Sequence, residues 1–218
     1  MPIGVRMGLL RRPRYDRREA MDAAGREAAR GKKRRAIALY RSVLVAEPGN
    51  LEVHRALAPL LAETGDPLEA WVSYRSVARA HERSRDYERA LDVLRDAAER
   101  LPQKIEAWLA VARVERRLGR PKAALRALLA GRSHQTRRRQ RPAALYLLRE
   151  ALSHAPWEPE IVIDLAALLS RCGRKQEATL WLDGLAERAD SNDRRRIRAA
   201  QLRLIPSLAN AWLWLRAA

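Results

Sequence analysis

Apolar residues recur at three- and four-residue spacing through most of the chain, and no stretch alternates apolar with polar between turn formers. The pattern predicts helices throughout and no strands. Turn formers punctuate the apolar segments: Gly31, the run Pro48, Gly49, Asn50, then Gly65, Asp66, Pro67, Pro102, Gly119, Pro121, Pro142, Pro156, Pro159, Gly173 and Pro206. Between them helices are predicted near 16–30, 33–46, 50–63, 67–83, 86–100, 104–117, 121–136, 142–154, 158–171, 175–188, 191–204 and 207–216. Asp66 ahead of Pro67 is a strong start signal. The carboxylate accepts a free amide, and proline lacks the amide that would otherwise be orphaned.

Residues 51–104 fall on 105–158 without a gap when shifted by 54 positions. Leu51, Glu52, Leu57, Ala58, Gly65, Pro67, Ala70 and Tyr74 land on Ile105, Glu106, Val111, Ala112, Gly119, Pro121, Ala124 and Leu128. A third copy continues the columns through Glu160, Leu165, Ala166, Gly173, Ala178 and Leu182, then loses register after Leu185. Such self-similarity marks stacked modules, each burying its apolar face against the next. Within the modules Ala36, Ala70, Ala90, Ala124, Ala144 and Ala178 are each followed four residues later by Tyr40, Tyr74, Leu94, Leu128, Leu148 or Leu182. The small residue lets backbones approach and the large one fills the groove beside it. These alanines advance by 34, 20, 34, 20 and 34 residues. A step of 20 is one helix and its turn, so units after the first are expected to hold three helices. The segments 67–83 and 121–136 would each serve two repeats.

The series Ala36, Tyr40, Val43, Pro48 resembles the second-helix signature of the tetratricopeptide repeat (TPR) family. It recurs as Ala90, Leu94, Ala97, Pro102 and as Ala144, Leu148, Ala151, Pro156. Trp108, Val111 and Ala112 resemble the first-helix signature, which His54, Leu57, Ala58, Leu61 and Val162, Leu165, Ala166, Leu169 follow with substitutions. The resemblance covers 17–188. It implies an all-α, right-handed α-solenoid of antiparallel helix pairs with about twelve helices, a basic tail over 1–15, the array over 16–188 and capping helices over 189–218. It also implies peptide binding on a concave face of first helices, which here would carry Glu52, Arg55 and Glu63, then Glu106, Leu109, Arg113, Arg116 and Arg117, then Glu160, Ile163 and Arg171. The lysine and asparagine clamp that some members use for a terminal carboxylate is absent. Arg113, Arg116 and Arg117 suggest an acidic peptide or surface, with a merely solvated face as the alternative.

Charge adds a regional preference. There are 44 basic and 26 acidic residues, a net +18. Counted by segment, the net charge is +8 over 1–50, −1 over 51–104, +8 over 105–158 and +3 over 159–218. Such a field draws acidic partners toward the N-terminal and middle parts. The preference for arginine over lysine fits a genome rich in G and C, but the excess of base over acid does not follow from it. Four clusters concentrate the charge: Arg11, Arg12 and Arg14; Lys32, Lys33, Arg34 and Arg35; Arg137, Arg138, Arg139 and Arg141; and Arg194, Arg195, Arg196 and Arg198. Guanidinium forks pair with carboxylate and phosphate alike. Either a solvated loop or phosphate binding accounts for them. Few aromatics interleave the clusters, and the one-base-per-repeat RNA readers use a regular two-helix period.

Other chemistry is sparse. Histidines 54, 81, 134 and 154 lack metal-ligand spacing, no glycine-rich phosphate loop occurs, and Glu150 and His154 read as an exposed salt bridge. No catalytic residue, metal or cofactor is expected. Single Cys172 reads as a small buried residue in a reducing, cytoplasmic setting. No apolar run reaches the ~20 residues that span a bilayer, and 1–10 lacks the features of a secretory signal. Trp71, Trp108 and Trp181 read as core, and Trp157 as packing over a turn. Trp212 and Trp214 flank Leu213 and precede Leu215 in an apolar terminal helix, and cannot both point inward. Either the tail is clamped against the helix near 191–204, or it offers a docking surface, self-association included. The reading is a non-enzymatic adaptor that holds an acidic or helical segment of a protein partner, within a larger assembly. Its rival is a nucleic-acid-associated protein using the arginine clusters.

Overall fold

The computed structural model describes residues 16–217. Among them are twelve α-helices and no strand, an all-α fold of the solenoid class. The helices are α1 Arg17–Ala29, α2 Lys33–Ala46, α3 Leu51–Thr64, α4 Pro67–Arg83, α5 Tyr87–Arg100, α6 Ile105–Arg117, α7 Pro121–Ser133, α8 Arg141–His154, α9 Pro159–Arg171, α10 Lys175–Arg188, α11 Ser191–Leu204 and α12 Leu208–Arg216. The starts of α3, α6 and α9 stand 54 residues apart, as do those of α4, α7 and α10. α7 ends earlier than its apolar pattern suggests. The link that follows contains a single 3-10 turn, Arg138–Gln140. It is tied down by buried Gln135, whose Nε2 donates to the Gln103 carbonyl at 3.2 Å, and by Gln140, which donates to the Gln103 side chain at 3.1 Å.

The chain divides into two compact units within α4, Met1–Ser76 and Val77–Ala218. In the first, Ala36, Ile37, Tyr40 and Val43 of α2 and Val53, Leu57, Ala58 and Leu61 of α3 form the buried face. Each fully buried Leu contributes about 1.5–3 kcal/mol over an exposed one. Burial, aided by nearby Glu52, pushes the Tyr40 phenol above its ordinary value. Helices two apart are joined by ion pairs: Arg17 of α1 reaches Glu52 of α3 at 3.3 Å, and Arg41 of α2 holds Glu69 in the first turn of α4. The hydrogen bond to Glu69 also raises the Arg41 pKa. Buried His54 closes the α2–α3 turn. Its Nε2 meets the Pro48 carbonyl at 3.0 Å, so Nε2 carries the proton and Nδ1 accepts from the Ser73 hydroxyl at 3.2 Å.

The second unit repeats that device with another residue. Trp108 stands at the position of His54 one period later, and its Nε1 donates to the Pro102 carbonyl at 3.0 Å. The bulkier indole needs room, and Gly131 of α7 supplies it. A Cβ there would lie 2.6 Å from Trp108 Cγ. At the corresponding positions of the next unit stand Val162 and Leu185, both buried. Large against small has become medium against large.

Helices of this unit alternate between two layers. α6 and α8 touch, as do α9 and α11. Polar bonds follow the same alternation. Arg113 of α6 pairs with Glu82 near the end of α4, and Arg149 of α8 with Glu177 of α10. In the other layer Arg132 of α7 pairs with Asp164 of α9, and Ser170 of α9 donates to the Leu204 carbonyl of α11. α6 and α9 therefore lie in opposite layers, although they are equivalent in sequence. α12 packs on α11.

Gly131→Val is expected to lower unfolding stability by about 1–3 kcal/mol through overpacking, read as a drop in the urea midpoint. Trp108→Leu in the same background should recover part of it. In the α4–α5 turn Arg85 has φ +60°, where the turns at Gly65, Gly119 and Gly173 use glycine. Arg85→Gly should raise stability by about 1 kcal/mol by relieving the left-handed backbone, seen as a higher midpoint with unchanged slope.

Candidate functional site

The residues expected to line one partner-binding face are dispersed by the layering. Arg55 is exposed on α3 in the first unit. On α6, Arg113 and Arg117 converge on Glu82 at 2.8 and 3.3 Å, and Arg117 also lies over the Tyr87 ring. Glu106 pairs with Lys104 at 3.3 Å, and Leu109 is half-buried. That leaves Arg116 as the arginine of this trio with no ionic partner among the described residues. Arg171 at the end of α9 is likewise exposed and unpaired, but it belongs to the other layer. Two arginines of α6 thus hold the array together, and the α6 and α9 residues do not share a surface.

The basic clusters separate in the same way. Arg11, Arg12 and Arg14 lie outside the described residues. Lys33 pairs with Glu63 at 2.9 Å and Lys32 with Glu27 at 4.0 Å, while Arg34 and Arg35 are exposed. Arg141 donates to the Arg171 carbonyl, supplying a partner to an end of α9 that lacks an intrahelical one. Arg194 does the same for α10 through the Ala186 and Ala189 carbonyls. Arg198 is largely buried and donates to Asp183 and to Gln201, itself fully buried. Arg137, Arg138, Arg139, Arg195 and Arg196 are exposed and have no carboxylate partner among the described residues.

At the C-terminal end, α12 is anchored through Ser207, which caps the Asn210 amide, and through buried Asn210, which donates to the Ile205 carbonyl at 2.7 Å. Trp214 is half-buried, whereas Leu208, Trp212 and Leu215 are exposed. Their spacing puts these three on one stripe of the helix, with the Arg216 guanidinium over the Trp212 ring. Trp157, by contrast, is absorbed: it adopts φ +64°, packs against Trp181 and Gly184, and is covered by Arg188 at 4.0 Å. Cys172 caps α9 and is partly exposed.

Two clefts flank α9 in the second unit. One, about 470 Å³, opens between α9 and α11 and is lined by Ile163, Arg196, Ala199, Ala200 and Arg203. The other, about 250 Å³, lies across α7, α8 and α9. Leu125, Leu129, Leu148 and Ile161 form its apolar wall, and Glu158, Glu160 and Asp164 its rim. One helix therefore separates an acidic cleft from a basic one. Arg203 is the charged lining residue that sequence reasoning misses, along with Ala199 and Ala200. Its signal is the seven-residue interval to Arg196 across Ala199 and Ala200, which places both arginines on one helix face. Among the described residues no group of His, Cys, Asp and Glu could hold a metal ion, and no helix is long and apolar enough to cross a membrane.

If the engaged arginines are structural, Arg198→Ala should cost about 2 kcal/mol by stranding Asp183 and buried Gln201. Arg195→Ala should stay within about 0.5 kcal/mol of the parent. Urea midpoints of the two variants compare them directly.

Two family models, each described as a tetratricopeptide repeat, match residues 136–204 and 69–114. No curated protein matches the chain. Solved structures similar to it include the MamA protein, at 18% identity over 78% of this chain and 90% of that one, TM-score 0.29. Pseudomonas aeruginosa pilF is 19% identical over 92% and 89%, with TM-score 0.29. A tetratricopeptide repeat protein from Parabacteroides merdae is 14% identical over 92% and 98%, also at 0.29.

Proposed function

The chain belongs to the tetratricopeptide repeat family, and from that premise we propose that it is an adaptor holding an acidic segment of a protein partner within a larger assembly. Repeats of this kind serve protein–protein interaction by stacking modules into binding surfaces. The observation that carries the acidic preference is the division among the arginines of the second unit. Arg113, Arg117, Arg132, Arg141, Arg149, Arg194 and Arg198 are engaged by the array itself, whereas Arg116 and Arg171 stand exposed without a partner. An unpaired guanidinium gives up no internal bond to meet a carboxylate, and its planar fork matches one bidentately. A half-exposed lone cysteine is in keeping with a reducing, cytoplasmic setting.

Recovery of the tagged full chain with its bound proteins tests this. Arg116→Glu and Arg171→Glu are made separately, because α6 and α9 lie in opposite layers; whichever face holds an acidic partner should release it on substitution, with the melting temperature staying within a few degrees of the parent. Full retention of every partner would remove both residues from the binding surface.

A second reading rests on Arg137, Arg138 and Arg139, which follow one another at the 3-10 turn, exposed and without carboxylates. Three such charges suit phosphates. If they bind duplex nucleic acid, changing all three to alanine should flatten the slope of log affinity against log salt by about 0.9 for each phosphate no longer neutralised. Absence of measurable binding to random duplex at moderate salt would remove this reading.

A further inference from the structure

We propose that the cleft between α9 and α11 receives an amphipathic helix whose acidic residues, seven positions apart, pair with Arg196 and Arg203. The assignment rests on the adaptor reading and names the site and the shape of its ligand. Both arginines line the cleft, and neither has an ionic partner among the described residues. Their seven-residue separation along α11 corresponds to about 10.5 Å. Between them Ala199 and Ala200 form a low floor, and half-exposed Ile163 of α9 forms the facing wall. A cationic bracket therefore surrounds a short apolar trough.

The spacing selects the ligand's conformation. A helix lying along α11 repeats the same rise, so carboxylates at i and i+7 meet the two guanidiniums together, and apolar residues at i+3 and i+4 fall on the alanine floor. Small residues on the receiving helix allow the close approach that ridge-into-groove packing needs. An extended peptide fits less well. About 10.5 Å is close to three residues of extended chain, and side chains three apart in an extended chain point to opposite faces, so they cannot both meet the two guanidiniums.

Sign adds discrimination. The neighbouring cleft lined by α7, α8 and α9 carries Glu158 and Glu160, together with Asp164, which is already paired with Arg132. A helix with acidic residues on more than one face would meet repulsion if it strayed across α9. The ligand is thus confined to one cleft by attraction and kept from the other by like charge.

The test uses the full chain and two synthetic helical peptides of the same length. One carries glutamates at i and i+7 with leucines at i+3 and i+4; the other carries lysines in place of those glutamates. Binding by calorimetry should be seen for the glutamate peptide only. Arg196→Glu and Arg203→Glu should each weaken it about tenfold, and the pair about a hundredfold, with unchanged helicity and melting temperature. Ala199→Trp, which fills the trough without touching charge, should weaken it as well. Equal affinity for the lysine peptide, or an unchanged affinity in the double variant, would overturn the assignment. So would displacement of the peptide by random single-stranded DNA that itself loses binding in the double variant, because the cleft would then be a general polyanion site. Failure of the glutamate peptide to bind the parent chain also overturns it. The adaptor reading is decided separately, by whether Arg116→Glu or Arg171→Glu releases the chain's partners.

Discussion

In an antiparallel helical stack, the layer a helix occupies is set by how many helices precede it. A unit with an even count returns each equivalent helix to the same layer, and a unit with an odd count sends it to the other. The 54-residue unit holds three helices, so α6 and α9, alike in sequence, are placed in opposite layers of the second unit. Everything presented on their outer faces follows from that count. Small-beside-large packing, in which Ala124 and Ala144 sit beneath Leu128 and Leu148, makes the stack close enough for the count to matter.

Electrostatics then divides the positive charge into two populations. Guanidiniums facing a neighbouring helix in the same layer find a carboxylate there, as Arg113 and Arg117 find Glu82 and Arg149 finds Glu177. Those at helix ends satisfy carbonyls, as Arg141 and Arg194 do. Others, Arg116 and Arg171 among them, are exposed with no carboxylate partner among the described residues. The net charge of +18 already subtracts the acidic residues, so pairing leaves it unchanged and decides only where the excess is presented.

Helix content and period were legible because they rest on local chemistry: apolar spacing, turn glycines, and start signals such as Asp66 with Pro67. The buried face was legible too, since Ala36, Tyr40 and Val43 are all enclosed. The candidate surface was less so. Family likeness marks α6 as a first helix, but its side of the unit depends on the packing of α8 and α4, which no local pattern encodes. Arg198 reads as one more member of a basic run until Asp183 and Gln201 are seen to close around it. Arg203 escapes notice for the converse reason. It stands outside any basic run, and although its interval to Arg196 is local to α11, its relation to Ile163 exists only across α9 and α11.

The exchange of bulk between Trp108 and Gly131 has a bearing on how such a chain can change over time. Repeats that keep the same residues at matching positions are interchangeable, and recombination can lengthen or shorten the array by whole units at little cost. Here each unit has settled on its own solution to one volume, tryptophan over glycine in one and valine with leucine in the next. A crossover that joined α6 of one unit to α10 of another would set Trp108 against Leu185. The modules have become parts of a single lineage, able to drift together but no longer to be dealt out in new orders.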